Sequence, residues 1–414
     1  MQKTITEHKP RINNFFILLC IATLIKLALF GFICFYSPQN TINTPTTGHG
    51  YLTEADSHSY LILADTIRHD GVFAAKDSQG RIQYESFRTP GYPLFLAFFH
   101  GILNIPFWGI ILIQICLSLA AAMIVYKTAG EIEPKIASLA MAIVLFDISI
   151  MVHSLVILTE TLFLFFITLY MFVFFRYLKN RRLSMLICSA IIAAVLAYIR
   201  PVALYLGLAA GIFILYFEIH TGTKKPFIHA GIFLAIAYGL IGLWFTRNWY
   251  HFHTIGFSTI LTVNENGHFM LLHSYVWHKE SNPQWYSPFF YYVKTTANGL
   301  LNLLARPGSL KYLHCPPINT IGKIVGYPWM IFWLIGFFTG IFHSKKNIYL
   351  QSMLWVIAYL IAATLTGAVT VSGERLRLPM LPFIAIIAAF GWSTLYPTDR
   401  LSSKPDGDAK AQTF

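Results

Sequence analysis

Charge is what this sequence has least of. Asp, Glu, Lys and Arg together make up 12% of its 414 residues, about half the share found in ordinary soluble domains. So little charge does not cover a water-facing surface, which excludes a soluble globular protein. The 56% of apolar residues excludes a disordered one. Carboxylates are the scarcer sign, 18 Asp+Glu against 30 Lys+Arg, for a formal net charge of +12. In a soluble chain that excess would point to nucleic acid; here it is divided between two sides of a membrane, and no nucleic-acid partner is expected. Cysteine is scarce as well. Of five, Cys20, Cys34, Cys116 and Cys188 lie inside apolar blocks and only Cys315 in a polar loop, which rules out an intrachain disulfide framework. No CxxC or Cys/His cluster points to zinc. Internal repeats, a nucleotide-binding glycine loop and a soluble catalytic domain are also missing.

What is abundant is apolar sequence in blocks of about 20 residues, the length that spans a bilayer core as a helix. The expected fold is all-α and polytopic, with about ten transmembrane helices near 14–36, 105–126, 135–152, 156–177, 183–199, 201–217, 227–245, 324–342, 348–370 and 378–396. Arg200-Pro201 interrupts the stretch 183–217, which reads as one overlong span or as two short helices meeting at the proline. Lys and Arg cluster at the amino terminus (Lys3, Lys9, Arg11) and in the turns with Arg176, Lys179, Arg181 and Arg182, with Lys224 and Lys225, and with Lys345 and Lys346. With ten spans these all fall on one side, the cytoplasm. Residues 1–13 then form a cytoplasmic amino terminus, 14–396 the membrane domain, and 397–414 a polar, disordered cytoplasmic tail. The first block contains Lys26 and is too long for a signal-peptide core, so it reads as an anchor. Lys26 should face protein rather than lipid, or snorkel.

Two loops on the outer side, about 37–104 and 246–323, are too long to be connectors. The second carries Trp249, Tyr275, Trp277, Trp285, Tyr286, Tyr291 and Tyr292, an aromatic content that favours folded structure at the membrane surface. In the first, Tyr60, Leu63, Ala64 and Ile67 repeat at helical spacing, with Asp65, Arg68 and Asp70 opposite and Gly71 as the stop. This predicts an amphipathic helix lying on the membrane. Asp56 stands at its start beside Glu54. It reads either as a helix N-cap or as a general base whose pKa the neighbouring Glu54 raises. Farther on, Arg88 precedes Thr89-Pro90-Gly91-Tyr92-Pro93 at the membrane edge. Arg200, Arg247, Arg375 and Arg377 recur at the outer ends of later spans, where positive charge is disfavoured. Guanidinium forks bind phosphate; pairing with outer carboxylates such as Glu160 and Glu374 is the alternative.

Taken in order, the motifs resemble the GT-C superfamily of integral membrane glycosyltransferases, in particular the dolichyl-phosphate-mannose protein mannosyltransferases and the lipid A aminoarabinose transferases. The shared features are Glu54-Ala55-Asp56, Tyr60 to Ala64, and the Arg-x-Pro-Gly-Tyr-Pro run from Arg88 to Pro93. Leu158-Thr159-Glu160, Arg200-Pro201, Arg247-Asn248 and Glu374-Arg375-Leu376-Arg377-Leu378-Pro379 follow. The resemblance implies a GT-C-like domain with amphipathic outer-face helices. It also implies transfer of a sugar from a polyprenyl-phosphate donor to an acceptor hydroxyl on the outer face, with inversion at the anomeric carbon. Asp56 and Glu54 map onto the catalytic acidic pair. Arg375, Arg377, Arg88, Arg200 and Arg247 fit donor phosphate binding, with His58, Tyr60 and Glu160 as further site residues. The acceptor, whether protein, lipid A or glycan, is left open; the expected location is a bacterial cytoplasmic (inner) membrane.

The sequence departs from its relatives in two ways. Many of them continue into a soluble outer domain, whereas this chain stops soon after its last apolar block. Some bind a divalent metal, but no clean ligand set surrounds Glu54, Asp56 and His58; no cofactor is assigned, and a divalent metal stays open. An O-antigen-type ligase or polymerase would share the outer arginines without needing the acidic pair. A multispanning transporter would typically show repeats or polar residues at mid-membrane.

Overall fold

The structure, a computed structural model, describes residues 12–35, 53, 55–222, 226–259, 288–308, 316–368 and 374–396. Glu54, most of the expected second outer loop and the carboxyl tail lie outside the described residues. The described chain is almost entirely helical, and the helices follow the apolar blocks: α1 (Ile12–Phe35), α4 (Phe107–Ile132), α5 (Ala137–Leu145) with α6 (Ile148–His153), and α7 (Thr159–Asn180). After them come α8 (Leu183–Ile199), α9 (Leu206–His220), α10 (Pro226–Phe252), α12 (Pro316–His343), α13 (Ile348–Ala368) and α15 (Leu381–Leu395). Among the described residues eight helical stretches are long and apolar enough to cross a membrane, while 134–145 and 183–199 form shorter apolar helices. All ten expected blocks are therefore helical.

The block 135–152 is not one rod. It breaks at Phe146 and Asp147, where the Asp147 side chain accepts from Ile150 N at 3.1 Å and caps α6. The stretch 183–217 resolves as two helices. Arg200 is extended (φ −144°), Pro201–Ala203 makes a 3-10 turn, and α9 follows. Proline lacks the N–H that would continue the α8 ladder and disfavours helix in the residue before it. The break turns Arg200 out of the helix at that end of the bundle.

The packing is close because the facing residues are small. α12 lies along α15, and α15 also packs on α5. A Cβ added to Gly391 of α15 would run into the Gly336 carbonyl of α12, and one at Gly340 into the Ile387 carbonyl. Small-residue faces of this kind let helix backbones touch in a membrane. α7 sits between α4 and α8, and α10 bridges α8 and α9.

Beyond α1 the first long loop is itself structured. Helix α2 (Ala55–Asp70) is followed by a hairpin of β1 (Ala74–Lys76) and β2 (Ile82–Tyr84), then by α3 (Gly91–Leu96) running into a π turn, Ala97–Ile102. The expected stop holds: Gly71 has φ +71° and its N–H returns to Ile67 O at 3.1 Å. Tyr60, Leu63 and Ala64 are buried in protein, with the Tyr60 ring set edge-on to Tyr92 at 5.3 Å. The apolar face of α2 is met by α3, a second apolar helix formed by residues expected as loop. Two further helices complete the described chain, α11 (Pro288–Ala305) and the single turn α14 (Glu374–Arg377).

Candidate active site

The end of the bundle that carries α2 gathers residues from four distant parts of the chain. Asp56, in the first turn of α2, is held by two guanidinium groups: Arg88 Nη2 donates to Oδ1 at 2.7 Å and Arg375 Nη2 to Oδ2 at 3.1 Å. Arg375 reaches past Asp56 and donates its Nε to Glu160 as well, and Arg200 Nη1 donates to the same Glu160 oxygen at 3.0 Å. The result is an alternating chain, Arg88–Asp56–Arg375–Glu160–Arg200. Glu160 is fully buried in the first turn of α7, where the helix dipole favours a carboxylate. Asp56 keeps about a third of its surface exposed, at 35%. Burial works against its charged form, but the hydrogen bond and charge of Arg88, joined by those of Arg375, outweigh it and hold the carboxyl below its ordinary range. The direction is opposite to the expected rise, because the two arginines outweigh burial; Glu54 lies outside the described residues. Burial pushes the Tyr60 hydroxyl up, and this hydroxyl lies 3.3 Å from Arg88 Nη1.

Local sequence explains how the ends converge. Thr89 Oγ1 donates to the last carbonyl of α8, Ile199 O, at 3.1 Å. Gly91 admits the backbone of the same turn, since a Cβ there would lie 2.7 Å from Tyr198 O. The run after Arg88 is thus pinned to the residue before Arg200. Helix periodicity explains the fate of the last pair. On a helical turn, Arg375 and Arg377 point about 200° apart. Arg375 faces Asp56, whereas Arg377 points into the core, fully buried, with Nη1 on the carbonyls of Leu303 (3.1 Å), Leu304 (3.3 Å) and Arg306 (2.8 Å) at the end of α11. Arg247 is also elsewhere: it donates to Glu85 O at 2.7 Å and Phe73 O at 2.9 Å and ties the hairpin to α10. Neither belongs with the group around Asp56, contrary to the expectation. His58 is exposed at the start of α2.

Residues 88–244 match the dolichyl-phosphate-mannose-protein mannosyltransferase family. No curated protein sequence matches the chain. Among solved structures, the oligosaccharyltransferase AglB from Archaeoglobus fulgidus, in complex with an inhibitory peptide and a dolichol-phosphate, superposes with a TM-score of 0.58 at 13% identity over 96% of this chain. This is the GT-C fold. The same archaeal enzyme in complex with zinc and sulfate gives a TM-score of 0.57 at 16% identity over 93% of this chain. ArnT from Cupriavidus metallidurans, bound to undecaprenyl phosphate, gives 0.42 at 11% identity over 93% of this chain and 78% of its own. The present chain spans about half the length of the archaeal enzyme, 52% and 50% in the two complexes.

Around Asp56 the described residues pair its carboxylate with two guanidinium groups, and Glu54 lies outside them. Among the described residues no three His, Cys, Asp or Glu side chains converge, and each Asp56 oxygen already faces a cation. Other contributors were not singled out as site residues in the sequence: Gln114, Ser57 and the Tyr92 of the Arg-x-Pro-Gly-Tyr-Pro run are fully buried behind Asp56 and hydrogen-bonded. A lone Gln in the middle of an apolar block was the available signal. Lys26 is buried against protein, as expected, with Nζ 3.2 Å from Ser154 Oγ.

Proposed function

We propose that the protein is a glycosyltransferase that moves a sugar from a polyprenyl-phosphate donor to an acceptor hydroxyl on the outer face of the membrane, inverting the anomeric carbon. The observation that carries this reading is a partly exposed carboxylate, Asp56, set between arginines at one end of a GT-C bundle. That end lies opposite the turns rich in Lys and Arg, where Arg176 and Lys179 meet Glu131. This charge distribution supports an outer site in a bacterial inner membrane.

In this reading Asp56 takes the proton of the acceptor hydroxyl, and Glu54 is its neighbour in the acidic pair. The acceptor oxygen bonds to the anomeric carbon as the bond from that carbon to the phosphate oxygen breaks. The polyprenyl phosphate departs with the electron pair, and Arg375, Arg88 and Arg200 stabilise the charge it gains. A guanidinium has five N–H donors. Arg375 spends Nε and one Nη2 hydrogen on carboxylates, and Arg200 only Nη1; the remaining donors are the ones offered to phosphate. Glu160 holds Arg375 and Arg200 in place, and Tyr60 braces Arg88. Dolichol-phosphate in the AglB structure supports a lipid-linked donor. The oligosaccharide ligase or polymerase alternative would use the arginines without a carboxylate at their centre, so Asp56 favours the transferase.

The test is transfer from lipid-phosphate sugars by the purified chain in detergent, joined to mass analysis of envelope glycans with and without the protein. Sugar transfer that is lost in Asp56→Asn supports the reading. Transfer at the parental rate by Asp56→Asn overturns the role of Asp56.

A further inference from the structure

Between α6 and α7 the chain leaves helical conformation at residues 154–158 while staying inside the protein; Leu155, Val156, Ile157 and Leu158 are fully buried. Buried carbonyls outside a helix need partners, since no water reaches them. One side chain meets two of them. Gln114, fully buried in the third turn of α4, donates Nε2 to Val156 O at 2.8 Å and to Ser154 O at 3.3 Å. Its Oε1 accepts from the Tyr92 hydroxyl at 2.8 Å. The orientation of the amide follows from its partners: carbonyls only accept, so the NH2 group must face them, and the oxygen is left for the phenol.

Both halves of the ion-pair chain hang from this amide. On one side, Tyr92 lies four residues after Arg88 and packs edge-on against Tyr60, whose hydroxyl meets Arg88. On the other, the carbonyl after Val156 belongs to Ile157. It accepts from Ser57 Oγ at 2.7 Å, and Ser57 is the neighbour of Asp56. Glu160 follows three residues later. No other residue type supplies one acceptor and two donors at this reach without a charge; a carboxylate would face the carbonyls with oxygen.

We infer that Gln114 is a positioning residue for the reaction, setting the placement of Asp56 against Arg88 and of Glu160 against Arg375 through the segment 154–158. It touches neither substrate nor reacting atoms. The inference rests on the reading of Asp56 as the base, and the first measurement below does not depend on transfer. The groups that face Asp56 are Arg88 from the run before α3, Arg375 from α14 and Tyr60 on α2 itself, with Glu160 of α7 and Arg200 before α9 one step away.

The experiment titrates the Asp56 carboxyl in the purified full chain by infrared difference spectroscopy, with the band identified by its loss in Asp56→Asn. Gln114→Met keeps the length of the side chain and removes all three hydrogen bonds. The expected result is an upward move of the Asp56 midpoint as its arginines loosen, at a normal membrane level of protein. With a lipid-phosphate sugar the same variant should lose about 10²-fold in kcat, the scale of a 1 Å misplacement, and the acid limb of its pH–rate profile should move up in step. Loss of packing alone would lower the amount of folded protein without moving either midpoint. If Gln114→Met does not accumulate, Tyr92→Phe decides; it keeps the ring and both carbonyl bonds, and a smaller upward move is expected. An unchanged Asp56 midpoint in whichever variant folds overturns the inference. If the parent chain titrates as expected but transfers no sugar from any lipid-phosphate donor, the functional reading fails instead.

Discussion

Asp56 is the residue on which the proposed chemistry turns, and its environment makes definite demands. Asn has the size of Asp and cannot take a proton, so Asp56→Asn should fold to a normal level and lose about 10²–10⁴-fold in transfer rate. The low pKa of Asp56 sets the sign of a pH effect. Its folded value lies below the ordinary 3.8, so the stability contributed by its ion pairs is present above that value and is lost as pH falls through the folded one. Protonation of Asp56 should accordingly not slow the parent between about pH 5 and pH 7, whereas Arg88→Gln should move the acid limb upward; a pH–rate profile of both proteins checks this. The arginines separate by partner. Arg375→Lys loses the fork that reaches Asp56 and Glu160 together and should weaken donor binding or slow turnover. Arg377→Lys loosens the hold on three carbonyls at and just after the end of α11 and should lower the melting temperature while leaving donor affinity unchanged in the protein that folds. Equal donor affinity and turnover in Arg375→Lys would mean that the phosphate is held elsewhere.

Breaks in the helices do as much for the site as the helices themselves. The proline after Arg200 ends α8 and exposes a cation at the bundle end, the irregular stretch before α7 delivers Glu160, and the pinned run after Arg88 delivers its guanidinium. Each of these breaks falls at a proline or a buried polar side chain. The long helices supply rigidity instead, and for α12 and α15 this depends on bare backbone contact. Gly391→Ala places a Cβ against the Gly336 carbonyl and should cost about 1–3 kcal/mol, the usual range for overpacking. The check is a thermal melt in detergent. Because Gly391 lies at the far end of α15 from Arg375, the donor KM of the folded fraction should not change.

At the scale of the molecule, charge separates the two ends of the bundle. The end with Arg176, Lys179 and Glu131 carries the basic turns, and the end with Asp56 carries basic residues paired with carboxylates. The outer placement proposed for the site predicts the reactivity of two positions. Gln79 lies in the turn of the β1–β2 hairpin on the Asp56 side, and Lys345 in the turn between α12 and α13 at the opposite end. In a chain freed of its own cysteines, Gln79→Cys should react with an impermeant thiol reagent from outside intact cells, and Lys345→Cys only after lysis. The reverse pattern would overturn the outer-face placement.

Much of this molecule was already written in its local sequence. Blocks of apolar residues determined where the helices run, because a helix that satisfies its own backbone is the structure that spans a bilayer. Gly71 determined the end of α2 and Pro201 the break after α8, because a single residue sets those backbone angles. The ordered motifs placed Asp56, Arg88, Glu160, Arg200 and Arg375 among the site candidates by their position at span ends. Only the tertiary structure decided which of them meet. Arg375 and Arg377 look alike in sequence, and the turn of one helix sends the first to Asp56 and the second into the core. Arg247 had the same outer-edge signature, yet the hairpin claims it. Gln114 and Ser57 had no signature, and the run from Arg88 to Pro93 did not show what Tyr92 would meet, since a buried hydrogen bond between residues 22 to 100 positions apart leaves no pattern in the local sequence. Pairing of that kind arises only when the helices pack and each buried polar group must find its partner.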